Sequence, residues 1–78
     1  MSPTVFRWNG YRFFFFSREE TRKHVHVTCA DGEAKFWLAP VEIARSHGLS
    51  QTQLAAIMAV IEDRGDEIEA SWNRHFGR

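Results

Sequence analysis

The sequence contains a single cysteine, Cys29, two prolines and no excess of either charge, with ten Lys and Arg balancing ten Asp and Glu over 78 residues. One cysteine excludes an internal disulfide, so packing must hold the chain together, and the pattern suits a reducing compartment. Net neutrality excludes a polyelectrolyte binder that works through bulk charge; affinity for nucleic acid would have to come from a local patch. Long apolar runs are also missing. The longest nearly apolar stretch, from Leu54 to Ile61, is far short of the ~20 residues that span a bilayer. Arg7 interrupts the opening residues before a secretory apolar region can form, so the expected location is the cytoplasm, away from membranes.

What the chain does have is apolar and aromatic. Hydrophobic residues make up 44% of it, and seven Phe, three Trp and one Tyr are far too many for a disordered chain. The length leaves room for one domain, expected over residues 1–78, with a strand-rich part at 4–38 and a helical part at 40–76. A chain this short buries only a little over ~60% of its unfolded surface, so large aromatic side chains compensate for small size.

Asn9-Gly10, flanked by β-branched and aromatic residues, is a strong signal for a two-residue type I′ hairpin. That turn sets Trp8 opposite Tyr11 and Phe6 opposite Phe13 on one side of the ribbon. Arg7 and Arg12 then oppose each other on the second side, with Val5, Phe14 and Phe16. Two facing arginines repel, and either splay into water, pair with carboxylates or form an anion site. Asp31-Gly32 marks a second hairpin, in which His26 is expected opposite Trp37, Thr28 opposite Lys35 and Cys29 opposite Ala34. Val25, Val27, Cys29, Ala34, Phe36 and Leu38 form its apolar face; His24, His26, Thr28, Glu33, Lys35 and Trp37 line the other. Ser17 to Lys23 reads as a charged connecting loop.

Beyond the hairpins the period changes. Pro40 is expected to open a short helix running to about His47, with Gly48 at its end. Ser50 and Gln53 have the spacing of a capping box, and Leu49 and Leu54 that of a hydrophobic staple. Leu54, Ile57, Met58, Ile61, Gly65, Ile68, Trp72 and Phe76 follow at helical spacing, which predicts one long helix from 51 to about 75, kinked or interrupted at Gly65. The expected architecture is α+β: two β-hairpins in a four-stranded antiparallel sheet, with a short and a long helix packed on its apolar face.

Ile43-Ala44, Gly48-Leu49, Leu54 and Ile57 also reproduce the spacing of a helix-turn-helix. No Lys or Arg occurs from 46 to 63, so its second helix would lack phosphate contacts, and DNA is not the expected partner.

His24 and His26 project from one face of a strand, about 6.6 to 6.8 Å apart along the backbone. They suit three roles: a general acid and base with Lys35 stabilising negative charge, two metal ligands, or histidines packed beside Trp37. No recognisable further ligands accompany them, so neither a metal nor a cofactor is expected. Candidate catalytic residues are therefore His24, His26 and Lys35, and candidate ligand-binding residues are Arg7, Arg12 and Trp37.

Pro3-Thr4-Val5, Gly10-Tyr11-Arg12-Phe13-Phe14-Phe15-Phe16-Ser17, His24-Val25-His26-Val27, Glu33-Ala34-Lys35-Phe36-Trp37-Leu38 and the helix around Trp72-Asn73 together resemble the bacterial family catalogued as domain of unknown function 4160. Family members often carry Pro-Pro-His where this chain has Arg22-Lys23-His24. The resemblance implies a small bacterial cytoplasmic protein, encoded beside a second small protein that is its partner in a toxin–antitoxin-like pair. Two functions follow as expectations. One is a toxin-like component acting on RNA or translation, with His26 and His24 as acid and base and Lys35 and Arg12 stabilising phosphate charge. The other is a non-enzymatic interaction or antitoxin module, favoured by neutrality and by Glu62, Asp63, Asp66, Glu67 and Glu69 near the C-terminus. Oligomeric state is not readable from the residues.

Overall fold

A computed structural model describes residues 3–16 and 22–77. Among them, five strands precede two helices: β1 (Thr4–Trp8), β2 (Tyr11–Phe14), β3 (His24–Thr28), β4 (Glu33–Leu38), β5 (Val41–His47), α1 (Gln51–Asp63) and α2 (Gly65–Phe76). Each strand pairs antiparallel with the next, so the sheet order is β1-β2-β3-β4-β5. The α+β class matches the expectation, with a five-stranded sheet in place of four. Most of the expected loop from Ser17 to Lys23 lies outside the described residues.

The first hairpin follows its turn chemistry. Asn9 and Gly10 both take positive φ, 49° and 81°, as a type I′ turn requires. Trp8 faces Tyr11, Arg7 faces Arg12 and Phe6 faces Phe13, and the register then shifts so that Thr4 faces Phe14. That irregularity sets Val5 against the core, whereas strict alternation put it on the Arg7 side.

The second hairpin departs from expectation by two residues. His24 faces Trp37, His26 faces Lys35 and Thr28 faces Glu33, while Cys29 N–H donates to the Gly32 carbonyl at 3.0 Å. The turn is therefore Ala30-Asp31, one position before Asp31-Gly32. The glycine serves a different need: a Cβ on Gly32 would overlap the His47 carbonyl oxygen and crowd Gly48. Because the slip is even, the apolar and polar faces keep their members.

The largest correction concerns residues 40–47. They form β5 and not a short helix, so the seam between strands and helices falls at Gly48-Leu49-Ser50 and the helix-turn-helix alternative loses its first helix. The turn Ala39-Pro40, with a cis peptide bond, joins β4 to β5. Val41 and Ile43, opposite Leu38 and Phe36, fit a pleated edge up to a register shift at Ala44, and seven residues are too few to sustain a helix without strong packing of one face. Pro40 suits a position just before a strand as well as a first helical turn, which is why it misleads.

α1 opens as expected. Ser50 Oγ accepts from Gln53 N–H at 3.1 Å and Ser50 N–H donates to Gln53 Oε1 at 2.8 Å, the reciprocal pairs of a capping box. Gln53 Nε2 also donates to Asp31 Oδ2 at 2.9 Å, pinning the β3–β4 turn to the helix start. The expected long helix is two helices that meet at Arg64, whose φ of −108° and ψ of 26° depart from helical values. Arg64 lays its guanidinium 3.5 Å from the centre of the Phe6 ring and pairs with Glu67. The break redirects the chain so that Ile68 and Trp72 join Leu54, Ile57 and Ile61 over Phe13, Phe15, Val25, Val27, Ala34 and Phe36.

Gly32→Ala is expected to lower stability by at least about 2 kcal/mol, because the added methyl has no space beside the β5 terminus. Urea unfolding checks this, and an unchanged midpoint would contradict the close approach of Gly32 to Gly48.

Candidate functional site

The helices cover one face of the sheet, and the candidate residues lie on the other. β3 contributes His24 and His26, β4 contributes Lys35 and Trp37, and the first hairpin contributes Arg7 and Arg12. The cross-strand pairs bring these groups into one surface: Arg12 beside Thr28, Phe14 beside His26, His26 beside Lys35 and His24 beside Trp37.

This surface is less exposed than alternation suggests. His24 is 2% exposed, and His26 and Lys35 are 7% exposed each. His24 Nδ1 donates to the Arg22 carbonyl at 2.9 Å, and its ring meets Trp72 edge-on at 5.2 Å and Trp37 at 6.0 Å. Trp72 also meets Phe15 at 5.4 Å and Phe76 at 4.3 Å, so α2 closes over the sheet end where β2 stops and β3 begins. His24 is thus a packed, hydrogen-bonded support. The two imidazoles touch, at 5.0 Å between ring centres, and His24 is the more deeply buried of the two.

His26 is placed differently. Its ring packs against Phe14 at 5.5 Å and Phe16 at 4.2 Å. Together with these two rings it lines a pocket of ≈ 100 Å³, whose other walls include Lys35, Arg45, Ser46 and His47. Phe16 is 46% exposed at its rim.

On this face three basic residues sit on rings. Arg12 places its guanidinium 4.4 Å from the Phe14 centre and donates from Nε to Thr4 Oγ1 at 2.7 Å. Arg22 lies 4.4 Å and the Lys35 ammonium 4.5 Å from the Trp37 ring, and Arg22 also reaches Glu42 at 3.6 Å. Arg7, opposite Arg12, is exposed. A cation over an aromatic ring is held there by the negative face of the ring, which fixes its position on the surface.

Sequence reasoning missed Arg45, Ser46 and His47. β5 brings Arg45 opposite Lys35 and His47 opposite Glu33, extending the polar face by one strand. Val41 and Ile43 at alternate positions were the available signal, obscured by Pro40 and Gly48 at the strand ends and by a register shift between Lys35 and Phe36, which turns Arg45 to the polar face while Val41 and Ile43 lie opposite Leu38 and Phe36. Two like-charged pairs, Arg7 with Arg12 and Lys35 with Arg45, face each other across strands on the same face. Among the described residues, no group of three or more His, Cys, Asp or Glu side chains is arranged to hold a metal ion, and no helix is long and apolar enough to cross a membrane.

An antiparallel sheet with two helices on one face and a histidine-, cation- and aromatic-lined surface on the other defines the class of this protein. The family model for the domain of unknown function DUF4160 matches residues 10–73. The chain belongs to that family. No curated protein and no solved structure matches it.

His24→Ala is expected to cost about 2–4 kcal/mol, since it opens a cavity beside Trp72 and removes the partly buried hydrogen bond to the Arg22 carbonyl. Denaturant titration measures this; a loss below about 0.5 kcal/mol would contradict a supporting role.

Proposed function

We propose that this chain is the toxin-like component of a bacterial, cytoplasmic two-protein module, and that it acts on RNA by holding it against the polar face of the sheet. The observation that carries the proposal is the separation of charge within a neutral chain. Arg7, Arg12, Arg22, Lys35 and Arg45 share the polar face with Glu33 and Glu42, whereas the helix layer carries Glu62, Asp63, Asp66, Glu67 and Glu69 against Arg64 and Arg74. Phe14, Phe16 and Trp37 stand among the cations. Aromatic rings interleaved with basic side chains on a sheet bind single-stranded nucleic acid by stacking bases and pairing phosphates. The resemblance to toxin–antitoxin-like pairs supports the two-protein setting.

Burial of His24 favours binding over acid–base chemistry by a His24–His26 pair. Of the two, His26 alone lines the pocket, and a proton-transfer role there falls to it with Lys35 beside it. A second reading, a non-enzymatic protein-interaction or antitoxin module whose partner is encoded by a neighbouring gene, is favoured by the acidic helices.

The test uses exposed residues, because substituting His26 or Lys35 disturbs buried packing. Arg7→Glu and Arg45→Glu are expected to keep the melting temperature and to weaken binding of a short single-stranded RNA at low salt by about tenfold or more each. Expression of the wild type is expected to arrest bacterial growth, and expression of these variants is not. Absence of RNA binding at low salt would overturn the proposal. A harmless wild type that rescues cells from the neighbouring gene product would favour the second reading.

A further inference from the structure

A second concavity lies away from the polar face, where the β4–β5 hairpin meets the junction of α1 and α2. Leu38, Val41 and Ile61 form its apolar floor, and Glu62, Asp66 and Glu69 stand around it. Gly65 completes the lining and is the residue that needs explaining. Its φ is not in the left-handed region, and a Cβ built on it meets nothing within 4 Å. Neither backbone conformation nor close packing calls for glycine, although glycine disfavours helix at the start of α2. A side chain there would instead fill the mouth of the groove.

Two of the three carboxylates around it lack a basic partner among the described residues. Glu69 reaches Lys23 at 2.8 Å, whereas Glu62 and Asp66 make no ion pair among the described residues. Two residues along the edge strand β5 from Val41, and on the same face of it, Ile43 leaves 41% of its surface exposed. An apolar slot with a carboxylate rim excludes nucleic acid by repulsion and leaves lipid acyl chains too little area to anchor. It matches a polypeptide whose apolar side chains alternate with Lys or Arg.

We infer that this groove is a docking site for a basic, apolar-anchored segment of a partner protein, and that Gly65 keeps it open. The inference does not depend on the RNA proposal, since the two surfaces share no residue. The probe is a ten-residue peptide of alternating lysine and leucine, compared with peptides carrying glutamate for lysine or serine for leucine. Only the lysine–leucine peptide is expected to bind, with amide shifts at Leu38, Val41, Ile61 and Gly65. Gly65→Gln is expected to weaken that binding about tenfold or more without lowering the melting temperature, and Glu62→Gln with Asp66→Gln to weaken it similarly. The inference is overturned if the lysine–serine peptide binds equally well, if Gly65→Gln has no effect, or if Gly65→Gln lowers the melting temperature. A chain that dimerises in sedimentation through Gly65 would overturn it as well, by making the occupant a second copy.

Discussion

The pairing of β4 with β5 is the constraint on which the rest of the molecule depends. It requires two backbones to approach without side chains between them, and Gly32 and Gly48 provide that at the point where β5 ends. Once β5 is seated, its two faces serve opposite ends. Arg45 and His47 extend the basic surface beside Lys35 and Glu33, while Val41 joins Leu38 in the floor of the acid-rimmed groove. Gln53 then ties the start of α1 to the same turn through Asp31, so the helix layer is positioned by the strand contact and not by the connecting residues alone.

The second organising element is Trp72. Ridge-like packing of Ile57, Ile61 and Ile68 would suffice to cover the apolar face of the sheet, but Trp72 reaches further, to Phe15, Phe76 and His24. Its contact with His24 couples the helix layer to the polar face through one buried imidazole. That imidazole is hydrogen-bonded to the chain just before β3, which holds the Arg22 guanidinium over Trp37. The histidine that the sequence marks as a reactive group is therefore a joint between layers, while His26 and Lys35 line the pocket beside it.

How much of this was legible depended on whether each residue type served one purpose. Asn9-Gly10 had only its turn to make, and its hairpin register follows from the dipeptide. Ser50 and Gln53 likewise had only a helix end to satisfy. Gly32, Pro40 and Gly65 each had two readings. Gly32 looks like a turn glycine but is spent on the approach of another strand, which moved the register of His26 from Trp37 to Lys35. Pro40 suits a helix start and a strand start equally, which concealed β5 and with it Arg45, Ser46 and His47. Gly65 signalled an interruption, yet the break falls at Arg64. The polar and apolar faces survived these errors because alternation is insensitive to a slip of two residues. Burial of His24 was illegible for a different reason: it is imposed by Trp72, 48 positions away in sequence, and no local pattern carries that contact.

The most direct measurement is the pattern of amide contacts across residues 33–47 in the isotopically labelled protein. A fifth strand gives cross-strand contacts between Lys35 and Arg45 and between Trp37 and Glu42, with slow hydrogen exchange along the β4 side of the pairing. Contacts at a spacing of three residues along 41–47, with none to β4, would identify a helix there. That result would dissolve both the basic extension of the polar face and the groove beneath Gly65.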